Sequence, residues 1–185
     1  MLKINSIAPD LLISSWINTE LPIALSDLKG RVVVLHAFQM LCPACVSHGI
    51  PQASAIHAAF PQTDLAVVGI HTVFEHHDAM NAIALKAFVH EYKIGFPIGI
   101  DMPDAVSGIP ITMQRFGMRG TPSLIVLDRK GIVRLHHFGR LDDMRLGALI
   151  GQLLAESVAP VLQEMAPVKK EVADKQCDAQ ACQIS

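Results

Sequence analysis

Arg31-Val32-Val33-Val34-Leu35-His36-Ala37-Phe38 leads through Gln39-Met40-Leu41 into Cys42-Pro43-Ala44-Cys45. The β-branched run has the character of a strand covered on both faces. Proline suits the first position of a helix, so one should begin near Pro43 and continue to about Phe60, bent where Gly49 and Pro51 interrupt it. Two residues between cysteines let both sulfurs meet across that first turn and close a small disulfide. The first sulfur then sits at the helix N-terminus, where unpaired amides and the positive end of the dipole stabilise a thiolate, the species that attacks disulfides. Lowering a thiol pKa from about 8.5 to about 7 raises its thiolate fraction at neutral pH from roughly 3% to about half.

Outward from this stretch, apolar segments alternate with amphipathic ones. Leu11 to Trp16 and Leu21 to Leu25 flank the polar Asn18-Thr19 and suggest an N-terminal hairpin. Leu65 to His71 and Phe96 to Ile100 read as strands, Asp78 to Tyr92 as a helix, and Ala105 to Phe116 as a weaker helix interrupted by Gly108 and Pro110. Ser123 to Leu127 and Ile132 to Phe138 form a hairpin around Asp128-Arg129-Lys130-Gly131, and Asp142 caps a last helix to about Gln163. Strands alternating with helices early and a hairpin late imply an α/β fold with a mixed central sheet flanked by helices. The expected organisation is one domain over residues 1–163 and a flexible tail over 164–185.

Composition narrows the function classes. Of 185 residues 51% are hydrophobic and 17% charged, which supports a packed core. The formal charge of -2, without a block of like charge, offers no footprint for nucleic acid or an anionic membrane surface. No apolar run approaches the roughly 20 residues of a spanning helix. Leu11-Leu12-Ile13 is too short for the core of a signal peptide. With Met1 as the start, a cytosolic protein is expected, where paired cysteines serve catalysis, redox sensing or metal binding rather than structure.

A zinc half-site is the alternative reading of Cys42 and Cys45, and it needs two further soft ligands. Cys177 and Cys182 in the tail could supply them, although four residues separate that pair. His71, His76 and His77 invite a metal reading as well, but adjacent loop histidines are ordinarily polar surface. His36, inside the strand, reads as a hydrogen-bonded core residue. The spacing after a strand in an α/β context favours redox chemistry, with no metal and no bound cofactor.

Together these features resemble a thioredoxin-fold thiol-disulfide oxidoreductase of the TlpA-like, peroxiredoxin-related (redoxin) branch. The resemblance rests on Ile7-Ala8-Pro9-Asp10, Leu28 to Leu35, Cys42-Pro43-Ala44-Cys45 followed by Pro51, Phe96-Pro97, Gly120-Thr121-Pro122-Ser123 and Asp128-Arg129-Lys130-Gly131. It spans roughly residues 4 to 157. Leu41 stands where that family usually has tryptophan. The resemblance implies that Cys42 is the nucleophile and Cys45 the resolving thiol. It makes Pro122 a cis proline which, with Thr121, Pro43 and Ala44, shapes the groove for the partner's backbone. Some relatives place a glutamate at the position of Glu75, near the resolving thiol, where partial burial would tune it as a proton acceptor.

The expected activity is disulfide reduction on protein or small-molecule disulfides, with an external thiol as electron donor and neither nucleic acid nor membrane as partner. A peroxidase of the peroxiredoxin type is the alternative. Those proteins place threonine three residues before the peroxidatic cysteine, whereas Cys42 occupies that place before Cys45. A metal-binding protein or thiol sensor is the third reading. Cys177 and Cys182 are expected to act as a second dithiol. The 14 residues from Gln163 to Cys177 reach about 46 Å extended and about 21 Å as a coil.

Overall fold

The valine-rich run lies at the centre of a six-stranded sheet in the computed structural model, which describes residues 2–156. The strands are β1 (Ile13–Ile17), β2 (Val32–Phe38), β3 (Leu65–His71), β4 (Ile98–Asp101), β5 (Ser123–Leu127) and β6 (Val133–Phe138), in the order β1-β4-β3-β2-β5-β6. β3 is parallel to β2 and β4, and the remaining pairs are antiparallel. The helices are α1 (Ile50–Ala59), α2 (Ala82–Glu91), α3 (Ile111–Phe116) and α4 (Asp143–Ala155).

All seven residues of β2 are buried because both faces of the sheet are covered. Val32, Val34 and Phe38 enter one core with Ile50 and Ile56 of α1, Leu85 and Val89 of α2, and Leu146 and Ile150 of α4. Val33, Leu35 and Ala37, on alternate positions, enter the other with Leu28 and with Met113 and Phe116 of α3. This is the thioredoxin-like arrangement that the motifs imply. Among the described residues, no helix is long and apolar enough to cross a membrane.

Three sequence expectations need correction. The N-terminal hairpin is absent, because β1 pairs antiparallel with β4 and the segment from Leu21 to Ala24 is not a strand. Asn18 takes a left-handed conformation (φ 61°). Its side-chain amide donates to the carbonyls of Ile94 and Phe96, which tethers the chain beyond β1 to the start of β4. Pro22 also lacks the N–H a returning strand would donate.

The helix expected from Ala105 begins at Ile111. Ahead of it, the Asp104 carboxylate accepts from the Val106 N–H, the Ser107 hydroxyl and the Gln114 amide, so side-chain acceptors replace helical ones. The helix expected from Asp78 begins at Ala82, since the Asn81 side chain accepts from the Ile83 and Ala84 amides as its cap. Finally, α4 ends at Ala155 with an extended Glu156. Its expected continuation to Gln163, the tail boundary and the Cys177/Cys182 pair lie outside the described residues.

Candidate active site

β2 and β3 end side by side, with Phe38 opposite His71, and the chain leaving β2 brings both cysteines over that edge. Cys42 and Cys45 form a disulfide with their Cα atoms 5.2 Å apart. Residues Cys45–Gly49 make a π-helical turn that runs into α1. This wide turn is where the sequence expects a bend, because Pro51 has no N–H for the Ser47 carbonyl and its ring crowds that group.

Burial divides the two sulfurs. Cys45 is fully buried, whereas Cys42 is half-buried beside exposed Pro43 and Leu41, the latter 58% exposed. The Cys45 N–H donates to Cys42 Sγ at 3.2 Å. When the disulfide opens, that amide faces the Cys42 thiolate, adding a local charge-assisted hydrogen bond to the field of the turn.

The Thr121–Pro122 peptide is cis, as the resemblance implies. The Thr121 carbonyl oxygen lies 3.5 Å from Cys42 Sγ, so the loop from α3 to β5 forms the opposite wall of the site. Pro122 is held in turn by its carbonyl, which accepts the Gly139 N–H at 2.8 Å.

Gln39 is the functional residue that the sequence reading misses. Its side chain is 1% exposed. Its Oε1 accepts the Phe74 N–H at 3.2 Å, and its Nε2 donates to Glu75 Oε1 at 3.3 Å and to Thr121 Oγ1 at 3.5 Å. One amide therefore ties together the β2 exit, the Glu75 loop and the cis-proline loop. A polar residue placed between a fully apolar strand and the cysteine pair is the available signal for it.

Glu75 reaches the site through Gln39, but it is exposed rather than partly buried. His76 and His77 are exposed, and no cluster of three or more His, Cys, Asp or Glu side chains suited to a metal ion occurs among the described residues.

His36 departs from its expected role. It is buried, but its Nε2 has no hydrogen-bond partner. Desolvation lowers its pKa from 6.5 to about 4, so it is neutral at pH 7. Its ring packs so closely on Gly49 that a Cβ there would fall on the imidazole, 2.6 Å from Nε2. Glycine is the residue that lets the π-turn cross over His36. His71 is likewise buried with an unpartnered Nε2, its pKa lowered to about 4 by desolvation.

The chain matches the AhpC/TSA family over residues 4–136. It superposes with a TM-score of 0.80 on a thioredoxin-like superfamily protein, 53% identical, covering 82% of this chain and 97% of that one. A thiol-disulfide isomerase from Corynebacterium glutamicum gives a TM-score of 0.79 at 46% identity, covering 83% of this chain and 98% of that one. Protein DipZ of Mycobacterium tuberculosis is 29% identical over 153 residues, which is 81% of this chain. The chain spans 21% of the length of that relative. The family match takes in well over half of the chain, including both cysteines and the cis-proline loop, so the chain belongs to the AhpC/TSA family, with a thioredoxin-like fold and a redox-active cysteine pair.

Proposed function

We propose that this thiol-disulfide oxidoreductase works as a protein disulfide reductase. The Cys42 thiolate attacks one sulfur of a substrate disulfide, forming a mixed disulfide and releasing the substrate's other sulfur as a thiolate, which takes a proton. The Cys45 thiolate then attacks Cys42 Sγ, releases the second substrate thiol and leaves the Cys42–Cys45 disulfide. Two electrons pass to the substrate, and an external thiol restores the pair. The observation that carries this reading is the asymmetry of the sulfurs: one half-buried beside the cis-proline loop with an amide aimed at it, the other fully buried behind it.

Thr121, Pro122, Pro43 and Ala44 form the surface that meets the substrate, and exposed Leu41 and Phe138 extend it with apolar area suited to a polypeptide. Glu75 acts as a positioning residue, its carboxylate and Gln39 holding the loop beside the site and giving an acceptor for protons that leave with the thiols. Protein disulfides in a thiol-rich compartment, the cytosol, are the substrates this reading favours. Buried Cys45 argues against a peroxidase in which peroxide must reach that sulfur.

Insulin reduction with dithiothreitol, peroxide consumption and metal content on one preparation test the reading. Insulin turnover without comparable peroxide turnover or bound metal is expected, and peroxide consumption as the faster activity would overturn it. Across pH 6 to 9, Glu75→Gln should alter the rate profile and leave the fold intact. An unchanged profile would remove Glu75 from the site.

A further inference from the structure

A cleft of about 470 Å³ runs between α1 and α4, away from the cysteines. Its head is His36, His48, Pro122 and Arg140, so it opens onto the cis-proline loop that contacts Cys42. Its walls include exposed Ala55, Ala59 and Gly147, small residues that leave room for incoming apolar side chains over a floor of Ile56 and Ile150. At the head, the buried His36 Nε2 lacks a partner, and a buried polar group without one is costly unless an occupant supplies it. Arg140 gives this end a cation, its side chain 3.4 Å from the His48 ring, and Asp143 lines the same cleft.

The geometry points to the chain's own C-terminal segment as the occupant, delivering the Cys177/Cys182 dithiol to Cys42. This rests on the disulfide reductase reading above. α4 starts beside the active site, four residues after Gly139, lines the cleft as far as Ile150, and ends five residues beyond it, where Arg134 holds Glu156. A segment leaving Glu156 must return along α4, 13 residues or about 20 Å, to meet Cys42. Twenty residues separate Glu156 from Cys177, a coil of about 25 Å, so the span and the tether match. Val158, Val161, Leu162, Met165 and Val168 supply apolar side chains ahead of the dithiol, and Asp178 adjoins Cys177 with the charge that complements Arg140.

The exchange balances within the chain. One tail thiolate attacks Cys42 Sγ of the Cys42–Cys45 disulfide, and Cys45 leaves as a thiolate. The second tail thiolate attacks the tail sulfur of that mixed disulfide and releases Cys42. The tail dithiol is oxidised to the Cys177–Cys182 disulfide, Cys42 and Cys45 are reduced, and two electrons and two protons have moved. An external dithiol then reduces the tail. Tethering gives an effective concentration of up to about millimolar, which lets this exchange outrun free thiols.

The test uses the full chain carrying Cys45→Ser, with the tail pair oxidised to its disulfide. Attack by Cys42 should then give an intramolecular Cys42–Cys177 or Cys42–Cys182 disulfide by peptide mapping. Gly147→Leu, which fills the cleft where a side chain meets open space, should slow its formation about tenfold. Gly151→Leu, equally unhindered on α4 but off the cleft, should not. Leucine favours a helix over glycine, so both variants fold. No cross-link, a cross-link only between chains, or equal rates in the two variants would overturn the proposal. A rise in KM for insulin in Gly147→Leu with an unchanged cross-link would do so too, by giving the cleft to the substrate. Insulin reduction by the unmodified chain, measured alongside, reports on the Cys42/Cys45 reading independently.

Discussion

Cys42→Ser abolishes disulfide reduction, by at least about a factor of 10³, because a serine hydroxyl neither ionises near neutral pH nor forms the mixed disulfide. Among the described residues, nothing beside it can substitute. Cys45 is fully buried, and the amide that would stabilise a thiolate points at Cys42 Sγ. Cys45→Ser fails differently: the first attack still occurs, but the mixed disulfide persists because the resolving sulfur is gone. Insulin turnover for both variants, with a mass spectrum of the Cys45→Ser reaction, checks the pair. Residual turnover above a few per cent in Cys42→Ser would place the nucleophile elsewhere.

Acid should unfold the protein well before its carboxylates are fully protonated. His36 and His71 have folded pKa values of about 4 against an ordinary 6.5, both because burial penalises the cation. Below pH 6.5 the unfolded chain binds protons at these residues while the folded chain does not, so stability falls as pH drops from 6.5 toward 4 and is full above it. Each histidine contributes about 3 kcal/mol over that window, and two such terms are a large part of a typical total of about 5–15 kcal/mol. His136, also lowered by burial, acts in the same direction. Asp101, raised by burial, acts in the opposite one and trims the loss. Urea midpoints at pH 7.5, 5.5 and 4.5, with the Cys42–Cys45 disulfide intact, should drop steeply. A midpoint unchanged to pH 4.5 would mean that both histidines are paired or hydrated.

The strands that frame the site were legible because their patterns are local. The apolar run of Val32 to Phe38 has a single reading, and the turn signals around Asp128-Arg129-Lys130-Gly131 bound a hairpin that the structure contains. The N-terminal hairpin failed for a non-local reason, since Asn18 reaches 76 residues along the chain to Ile94. Helix starts moved where Asn81 and Asp104 supply side-chain acceptors, a competition that periodicity does not register. Within the site, Cys42, Cys45, Thr121 and Pro122 come together as the motifs imply. Gln39 was missed because its importance lies in whom it bonds, and His36 was misjudged because a strand residue's hydrogen-bond partners are set by what crosses over it, here Gly49.

The central claim is that Cys42 is the attacking sulfur and Cys45 the protected one. Substoichiometric iodoacetamide on the fully reduced chain at pH 7, followed by peptide mapping, tests it most directly. Carbamidomethylation should appear on Cys42 far ahead of Cys45, since exposure and a facing amide favour the Cys42 thiolate while burial shields Cys45. Equal labelling, or Cys45 modified first, would contradict the account.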